Sequence, residues 1–156
     1  MSNKAKLLCT PLEYLPLIQK HLGNIFLDPC GNPNSPLDPA IAYNLPGQDG
    51  LALPWSNNVY CNPPWGYDYE TNGTEILTWL SKGVYENISN NCRILFLLPY
   101  VPKATWWKLL TKISTLVIPI ENSSTYFYTP NSSPKKIPVC FALFTEQNIN
   151  EEKGDN

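Results

Sequence analysis

The stretch richest in chemistry is Asn62-Pro63-Pro64-Trp65, which follows the apolar run Val59-Tyr60-Cys61 and is closed by Gly66. An asparagine amide accepts hydrogen bonds at its oxygen and donates them from its nitrogen. The prolines donate no backbone N–H and fix φ, so the chain leaves any regular ladder here and stiffens. The carbonyl of Pro63 has no helical partner and is open to a donor, and Trp65 offers a flat π-face. Two acceptors and one aromatic face suit a planar group carrying an amino nitrogen. A Pro-Pro turn closed by a core tryptophan uses the same residues, and taken alone the stretch does not choose between the two.

Two other polar signals have the same setting. Ile25-Phe26-Leu27 reads as a short strand running into Asp28-Pro29-Cys30-Gly31. A carboxylate there can accept from an ammonium or hydroxyl donor, while the backbone of Cys30 and Gly31 lines a pocket. An Asp-Pro turn leaving an edge strand is the plainer alternative. Asp49-Gly50-Leu51 adds a carboxylate able to accept from an exocyclic amino group, against the plainer reading of a surface Asp-Gly turn. Trp55, shortly after, fits a core position better than a ligand platform.

Composition narrows the classes. The chain has 156 residues, 43% of them hydrophobic, which suits one domain with a real core. Eleven basic against thirteen acidic residues give a net charge of −2, whereas a free-standing nucleic-acid binder shows a basic surplus. Five cysteines, odd in number and never spaced C-x-x-C, argue against a disulfide framework and a zinc site. His21 is the sole histidine and reads as a solvated or capping residue, so a Ser-His-Asp triad or a multi-histidine metal site is not available. No metal and no membrane are expected, since no apolar run reaches spanning length and no signal peptide opens the chain. The expectation is a soluble, cytoplasmic protein.

The elements that must position these residues follow from periodicity. Thr10-Pro11-Leu12-Glu13 carries a helix-start signal, with Thr10 as N-cap and Pro11 at the first helical position. Leu12, Leu15, Ile18 and Leu22 continue it, Pro16 restricts or kinks it, and Gly23 ends it. Residues 32–49 read as ordered loop around a small apolar patch at Ala40 to Tyr43. A helix is expected from Thr74 to about Asn87, a central strand over Cys92–Leu98, a helix from Thr105, and strands over Ser114–Ile120 and Val139–Phe144. The last two strands flank a connection with no helix signal and should pair antiparallel. The chain before residue 9 reads as loose and the tail from Thr145 as frayed, leaving one domain over 1–156 with its core at about 10–145. This alternation predicts an α/β fold, a mostly parallel sheet with an antiparallel last strand and helices on both faces. Asp28, Asp49, Asn62 and Pro99 would then gather along one sheet edge.

In this order the residues resemble the phage-type DNA N6-adenine methyltransferases, the Dam family of phages and prophages. The matching features are Thr10-Pro11, Leu27-Asp28-Pro29-Cys30 with Asn34, Asp49-Gly50-Leu51, Trp55, Val59 to Gly66, Leu97-Leu98-Pro99, Trp106-Trp107 and the strand Val139 to Phe144. The resemblance covers roughly residues 10 to 144. It implies a Rossmann-like fold that binds S-adenosyl-L-methionine and transfers its methyl group to adenine N6 in DNA. It assigns Asn62, Pro63, Pro64 and Trp65 to catalysis, with Trp65 stacking on the target base. It assigns Asp28, Pro29, Cys30, Gly31, Asp49, Gly50 and Leu51 to the cofactor, Asp28 at the methionine end and Asp49 toward the adenine or a nearby polar group. Lys103, Lys135 and Lys136, with Lys108, are the candidate phosphate contacts, against the plainer reading of each as a solvated surface lysine, so DNA binding should be weak or aided by oligomerisation. The chain departs from the family in its single-glycine cofactor loop and in Ile120-Glu121-Asn122-Ser123, where a Gly-Arg pair is common. The same Asn-Pro-Pro-aromatic chemistry also serves methylation of a protein glutamine or an RNA base. A degenerate, non-catalytic methyltransferase fold that binds nucleic acid or protein is the third alternative.

Overall fold

A computed structural model describes residues 9–120, 126–129 and 132–147, with the backbone alone over 126–129 and 132–136. The expectations for residues 1–8 and for the tail from 148 onward fall outside the described residues.

Strands β1 (Leu27–Asp28), β2 (Ile41–Ala42), β3 (Asn58–Cys61), β4 (Arg93–Pro99), β5 (Leu116–Pro119) and the last strand, β8 (Val139–Phe144), form one sheet in the order β2-β1-β3-β4-β8-β5. The first four are mutually parallel, and β8 is antiparallel to both neighbours, β4 and β5. The expected antiparallel pairing of the last two sheet strands is therefore present. Between them, β6 (Tyr126–Thr129) and β7 (Ser132–Lys136) make a separate two-stranded antiparallel unit, which the sequence reading leaves without elements.

The helices are α1 (Leu15–Leu22), α2 (Thr74–Asn90) and α3 (Thr105–Ile113). Side chains alternate across a sheet with period two, and the register shows which face each helix covers. Ile94 lies opposite Phe144 and Phe96 opposite Ala142, so these residues share one face, where Phe96 meets Trp55 and Phe144. Gly83 of α2 sits against that face so closely that a Cβ would come within 2.6 Å of the Phe96 ring. Phe141 points the other way, to Tyr14 in the turn that leads into α1. The sheet thus has α1 on one face and α2 on the other, as the alternating pattern requires.

Two local expectations are corrected. Thr10 is not an N-cap: the cap position is Pro11, and a single 3-10 turn, Leu12–Tyr14, precedes α1. Pro16 does not kink a helix but lies in the first turn of α1, where its missing N–H costs nothing. Gly23 ends α1 with φ +83°, a conformation that favours glycine. The start of the tail is not frayed. Thr145 donates its N–H to Thr115, Gln147 bonds Asn87 and Asn91, and Glu146 pairs with Arg93 at 3.1 Å.

Candidate functional site

Strand order gives the first positional clue. From β1 the chain moves outward to β2, then returns to β3 on the opposite side of β1. That reversal opens a crevice beyond the carboxyl ends of β1 and β3, where open α/β sheets bind ligands. Asp28 ends β1 and Asn62 follows β3, so both signals meet at this crevice.

On the α1 face, Leu27 pairs with Val59, which puts Asp28 abreast of Tyr60. Tyr60 and Asn62, two residues apart, point the same way, and both reach Thr10. The Thr10 hydroxyl lies 2.7 Å from the Tyr60 hydroxyl, and Asn62 Nδ2 donates to Thr10 Oγ1 at 3.2 Å. Thr10, Tyr60 and Asp28 are all buried. Asp28 Oδ1 accepts from the Cys30 N–H at 3.1 Å. Loss of water raises the Asp28 pKa to about 7, the Cys30 bond opposing the shift. The Asp28 charge in turn contributes to raising the thiols of Cys9 and Cys61, after the larger effect of their burial and, for Cys61, of Cys30.

On the other side lies a cavity of about 320 Å³, near the lower end of the roughly 300–1,000 Å³ range of ligand pockets. Its walls are Pro29 to Pro33, Tyr43 to Pro46, Gln48 to Gly50, and Trp79 of α2. Two glycines let these segments close on one another. A Cβ on Gly50 would fall 1.8 Å from the Pro29 carbonyl oxygen, and one on Gly31 would fall 2.5 Å from Asn44 Oδ1. Trp55, buried in the core as expected, donates its indole N–H to the Gly50 carbonyl at 2.8 Å and pins that turn. Asp49 caps the same turn by accepting from the Leu51 N–H at 3.0 Å. Two buried polar atoms on the cavity's lining residues lack partners: the acceptor Asn44 Oδ1 and the donor Trp79 Nε1. Each is costly to leave unpaired, and each is sealed from solvent within the packing behind the cavity wall.

Of the expected cofactor residues, Pro29, Cys30, Gly31, Asp49 and Gly50 line this cavity, whereas Asp28 and Leu51 do not. Asp28 turns instead to the group around Thr10 and Asn62. The sequence reading missed Tyr43, Asn44 and Trp79. The apolar patch at Ala40 to Tyr43 was the available signal: it forms β2, and Asn44 is the polar residue just past its end. No helix follows β1, since α2 is the next one in the chain. The Pro29–Gly31 loop therefore brings no helix N-terminus of its own to an anion.

Pro63, Pro64 and Trp65 are buried. Trp65 is 7% exposed, its ring centroid 5.5 Å from that of Tyr69. The loop beyond Gly66 is firmly tied. Asp68 caps α2 through the Thr74 N–H and hydroxyl, Trp106 donates to the Tyr69 carbonyl at 2.7 Å, and Thr105 donates to the Thr71 carbonyl. Lys103 and Lys108 are exposed at the start of α3, which follows the carboxyl end of β4. Lys135 and Lys136 belong to β7, where only the backbone is described. His21 sits at the far end of the molecule: its carbonyl accepts from Arg93 at the opening of β4, away from the crevice. Four cysteines are buried and Cys30 is half-buried, all five as free thiols.

Among the described residues, no group of three or more His, Cys, Asp or Glu side chains is placed to hold a metal ion, and no helix is long and apolar enough to cross a membrane. No protein-family model, curated protein or solved structure matches this chain.

Proposed function

We propose that this chain is an S-adenosylmethionine-dependent methyltransferase with a Rossmann-like fold, acting on adenine N6 in DNA. The observation that carries the reading is the division of one crevice into two adjoining parts. A cavity lies at the ends of β1 and β2, and a buried carboxylate lies beside an Asn-Pro-Pro-Trp loop at the ends of β1 and β3.

The residues present fit the cofactor. Gly31 and Gly50 allow the close approach of the loops that wall the cavity, and Asp49, Gln48, Tyr43 and Trp79 give its lining polar and aromatic residues. Asp28 is a buried carboxylate suited to the ammonium of the methionine end, and its place beside Tyr60 keeps that end near Asn62. When bound, the cofactor supplies an electrophilic methyl group on a sulfonium.

The chain's own residues supply alignment. The lone pair of an aromatic amine is delocalised into its ring. Asn62 Oδ1 and the Pro63 carbonyl, by accepting its two N–H bonds, favour a tetrahedral nitrogen with the lone pair directed at the electrophile. No strong base is needed, because the proton leaves after charge has built on nitrogen. Such preorganised acceptors act mainly through orientation and electrostatics. In a duplex the base must leave the stack, at a cost of a few kcal/mol, and stacking on Trp65 offsets roughly 1–3 kcal/mol of it. Because Trp65 is buried, that stacking requires the residues around it to give way.

The scarcity of cations favours keeping a second acceptor class in view, a glutamine amide or an RNA base. The test is calorimetric titration of S-adenosylmethionine and S-adenosylhomocysteine, then transfer of labelled methyl to DNA, RNA and protein in parallel. One site per chain and label on adenine N6 in DNA is the expected result. Label on RNA or protein alone would move the acceptor, and no binding of either compound would leave the non-catalytic alternative.

A further inference from the structure

Resting on the proposed reading, we propose that the acceptor docks as a single strand of DNA on the surface where β4 passes into α3. Tyr100 and Tyr67 stack on the bases that flank the target adenine, and Lys103, Lys108 and Lys112 follow its phosphates. β3 and β4 are parallel neighbours with Cys61 opposite Phe96, so Asn62 and Tyr100 leave the same edge of the sheet. The whole chain carries a net charge of −2, yet residues 100–120 hold three lysines and no acidic residue. All three lysines are exposed, and none has an ion-pair partner among the described residues. Their charge is open to a polyanion at the rim of the site, and an average over the chain conceals it.

Two aromatic rings stand on the same rim. Tyr100 is 38% exposed, its ring centroid 5.3 Å from that of Trp107, which in turn lies edge-on to the buried Trp106 at 5.8 Å. The Tyr100 N–H donates to the Pro138 carbonyl at 2.9 Å, which fixes its backbone. Tyr67, two residues past Trp65, is 99% exposed, yet its loop is set on both sides. Gly66 before it adopts φ +81°, and Asp68 after it accepts from the Thr74 N–H and hydroxyl. Both backbones are thus ordered before an acceptor arrives, which lowers the cost of binding. Exposed aromatic faces beside cations suit a single strand, because every unpaired base has a face to stack. A duplex fits less well. Its bases already cover one another, and its target must be drawn from the stack at a cost that a single strand is spared. Its second backbone also needs cations, whereas the loop tied to the start of α3 through Tyr69 and Thr71 carries Asp68 and Glu70.

The experiment titrates the full chain, loaded with S-adenosylhomocysteine, with a fluorescent single-stranded DNA oligonucleotide of mixed sequence, with its duplex and with the RNA of that sequence. Anisotropy gives the affinities, and methyl transfer from S-adenosylmethionine is followed on the same three. Single-stranded DNA should bind roughly tenfold or more tightly than the duplex, the scale set by the opening that it avoids. Tyr100→Ala and Tyr67→Ala should each weaken single-strand binding by about 5- to 100-fold, the range for one lost base–aromatic stack. Tyr100→Phe and Tyr67→Phe, which keep the ring, should bind as wild type does. An abasic residue beside the target adenine should cost wild type affinity but cost the matching alanine variant little more. Cofactor affinity and the NMR signals of the Asn62 side-chain NH2 should be unchanged in all four variants, which shows that they are folded with the reacting centre intact. Equal or tighter binding of the duplex, a preference for RNA, no binding of nucleic acid, or alanine variants that bind single strands as wild type does overturns the inference and leaves the methyltransferase reading standing. Wild type that binds single-stranded DNA as expected but methylates no acceptor overturns the functional reading and leaves the docking surface.

Discussion

At the ends of β1 and β2 the candidate site is a cavity whose walls are largely backbone, closed by two glycines and a tryptophan that pins a turn. At the end of β3 it is a single side-chain amide, bonded to the hydroxyl of Thr10, 52 positions away, which in turn pairs with the hydroxyl of Tyr60. The first region depends on how near two chains can come. The second depends on which atom of one group faces out. A substitution that adds volume should therefore damage the first, and one that keeps volume but removes a hydrogen bond should damage the second.

The largest expected effect lies between the two regions, at Asp28. In the unfolded chain its pKa is near 3.8, and in the folded chain burial raises it to about 7. Between those values the folded state holds a proton that the unfolded state has lost, so stability falls as pH rises from about 4 to 7 and is flat beyond. The difference corresponds to something on the order of 4 kcal/mol. Denaturant titrations from pH 4.5 to 8 should show this decline in wild type, and Asp28→Asn should remove it and be the more stable protein at pH 8. A bound ammonium would favour the carboxylate, so cofactor affinity should rise with pH up to about 7 and then level off. A flat profile in both measurements would mean that Asp28 is not the buried acid described here.

Asn62→Ala comes next, and it separates the regions. Removing one preorganised group from a transition state costs about 10²- to 10³-fold in kcat. Cofactor binding, which the proposed function assigns to the cavity, should stay within a few-fold by calorimetry. Comparable transfer by this variant would remove Asn62 from the chemistry.

Gly50→Ala makes the reverse test. Its Cβ would sit 1.8 Å from the Pro29 carbonyl oxygen, a backbone atom that cannot swing aside. Overpacking of this kind costs about 1–3 kcal/mol, read as a lower Tm. The parting of the two loops should also weaken cofactor binding by roughly tenfold or more, on the same scale. The Asn62 NH2 signals should be unchanged, since nothing in the acceptor region touches Gly50. Gly47, around which nothing lies within 4 Å, is the control and should tolerate alanine.

The two regions were unequally legible in the sequence. Asn62-Pro63-Pro64-Trp65 announces itself because prolines and an aromatic at a strand end form a local pattern. The sheet was legible for the same reason: Cys92 to Leu98 and Val139 to Phe144 are apolar runs, and they lie where expected, within a residue at the ends. The cavity was only half legible. Gly31 and Gly50 mark close approach, but β2 is two residues long, too short for a pattern to place Asn44 in the cavity wall. Trp79 has the spacing of any helix residue on an apolar face, and its unpaired indole nitrogen belongs to three dimensions. Thr10 was misread as a cap because Thr-Pro is a good local signal for one, and its true partners are remote in the chain. Local rules read the groups that terminate elements; they do not read a hydroxyl whose partners arrive with the fold.

The smallest effect concerns the rim of the acceptor region, and it bears on what the acceptor is. Lys103 and Lys108 are exposed, and neither has an ion-pair partner among the described residues. If the acceptor is a nucleic acid, a lysine that neutralises one phosphate releases about one counterion. Its replacement by glutamine then lowers the slope of log affinity against log salt by about 0.7 for single strands and 0.9 for duplex. Lys103→Gln and Lys108→Gln should each weaken nucleic-acid binding only a few-fold at moderate salt, while both leave cofactor affinity untouched at every salt concentration. The slope is more informative than the affinity, because a glutamine-bearing protein acceptor carries no condensed counterions to release. A wild-type slope near zero, unchanged by either variant, would turn the acceptor assignment from nucleic acid to protein while leaving the amide chemistry of Asn62 intact.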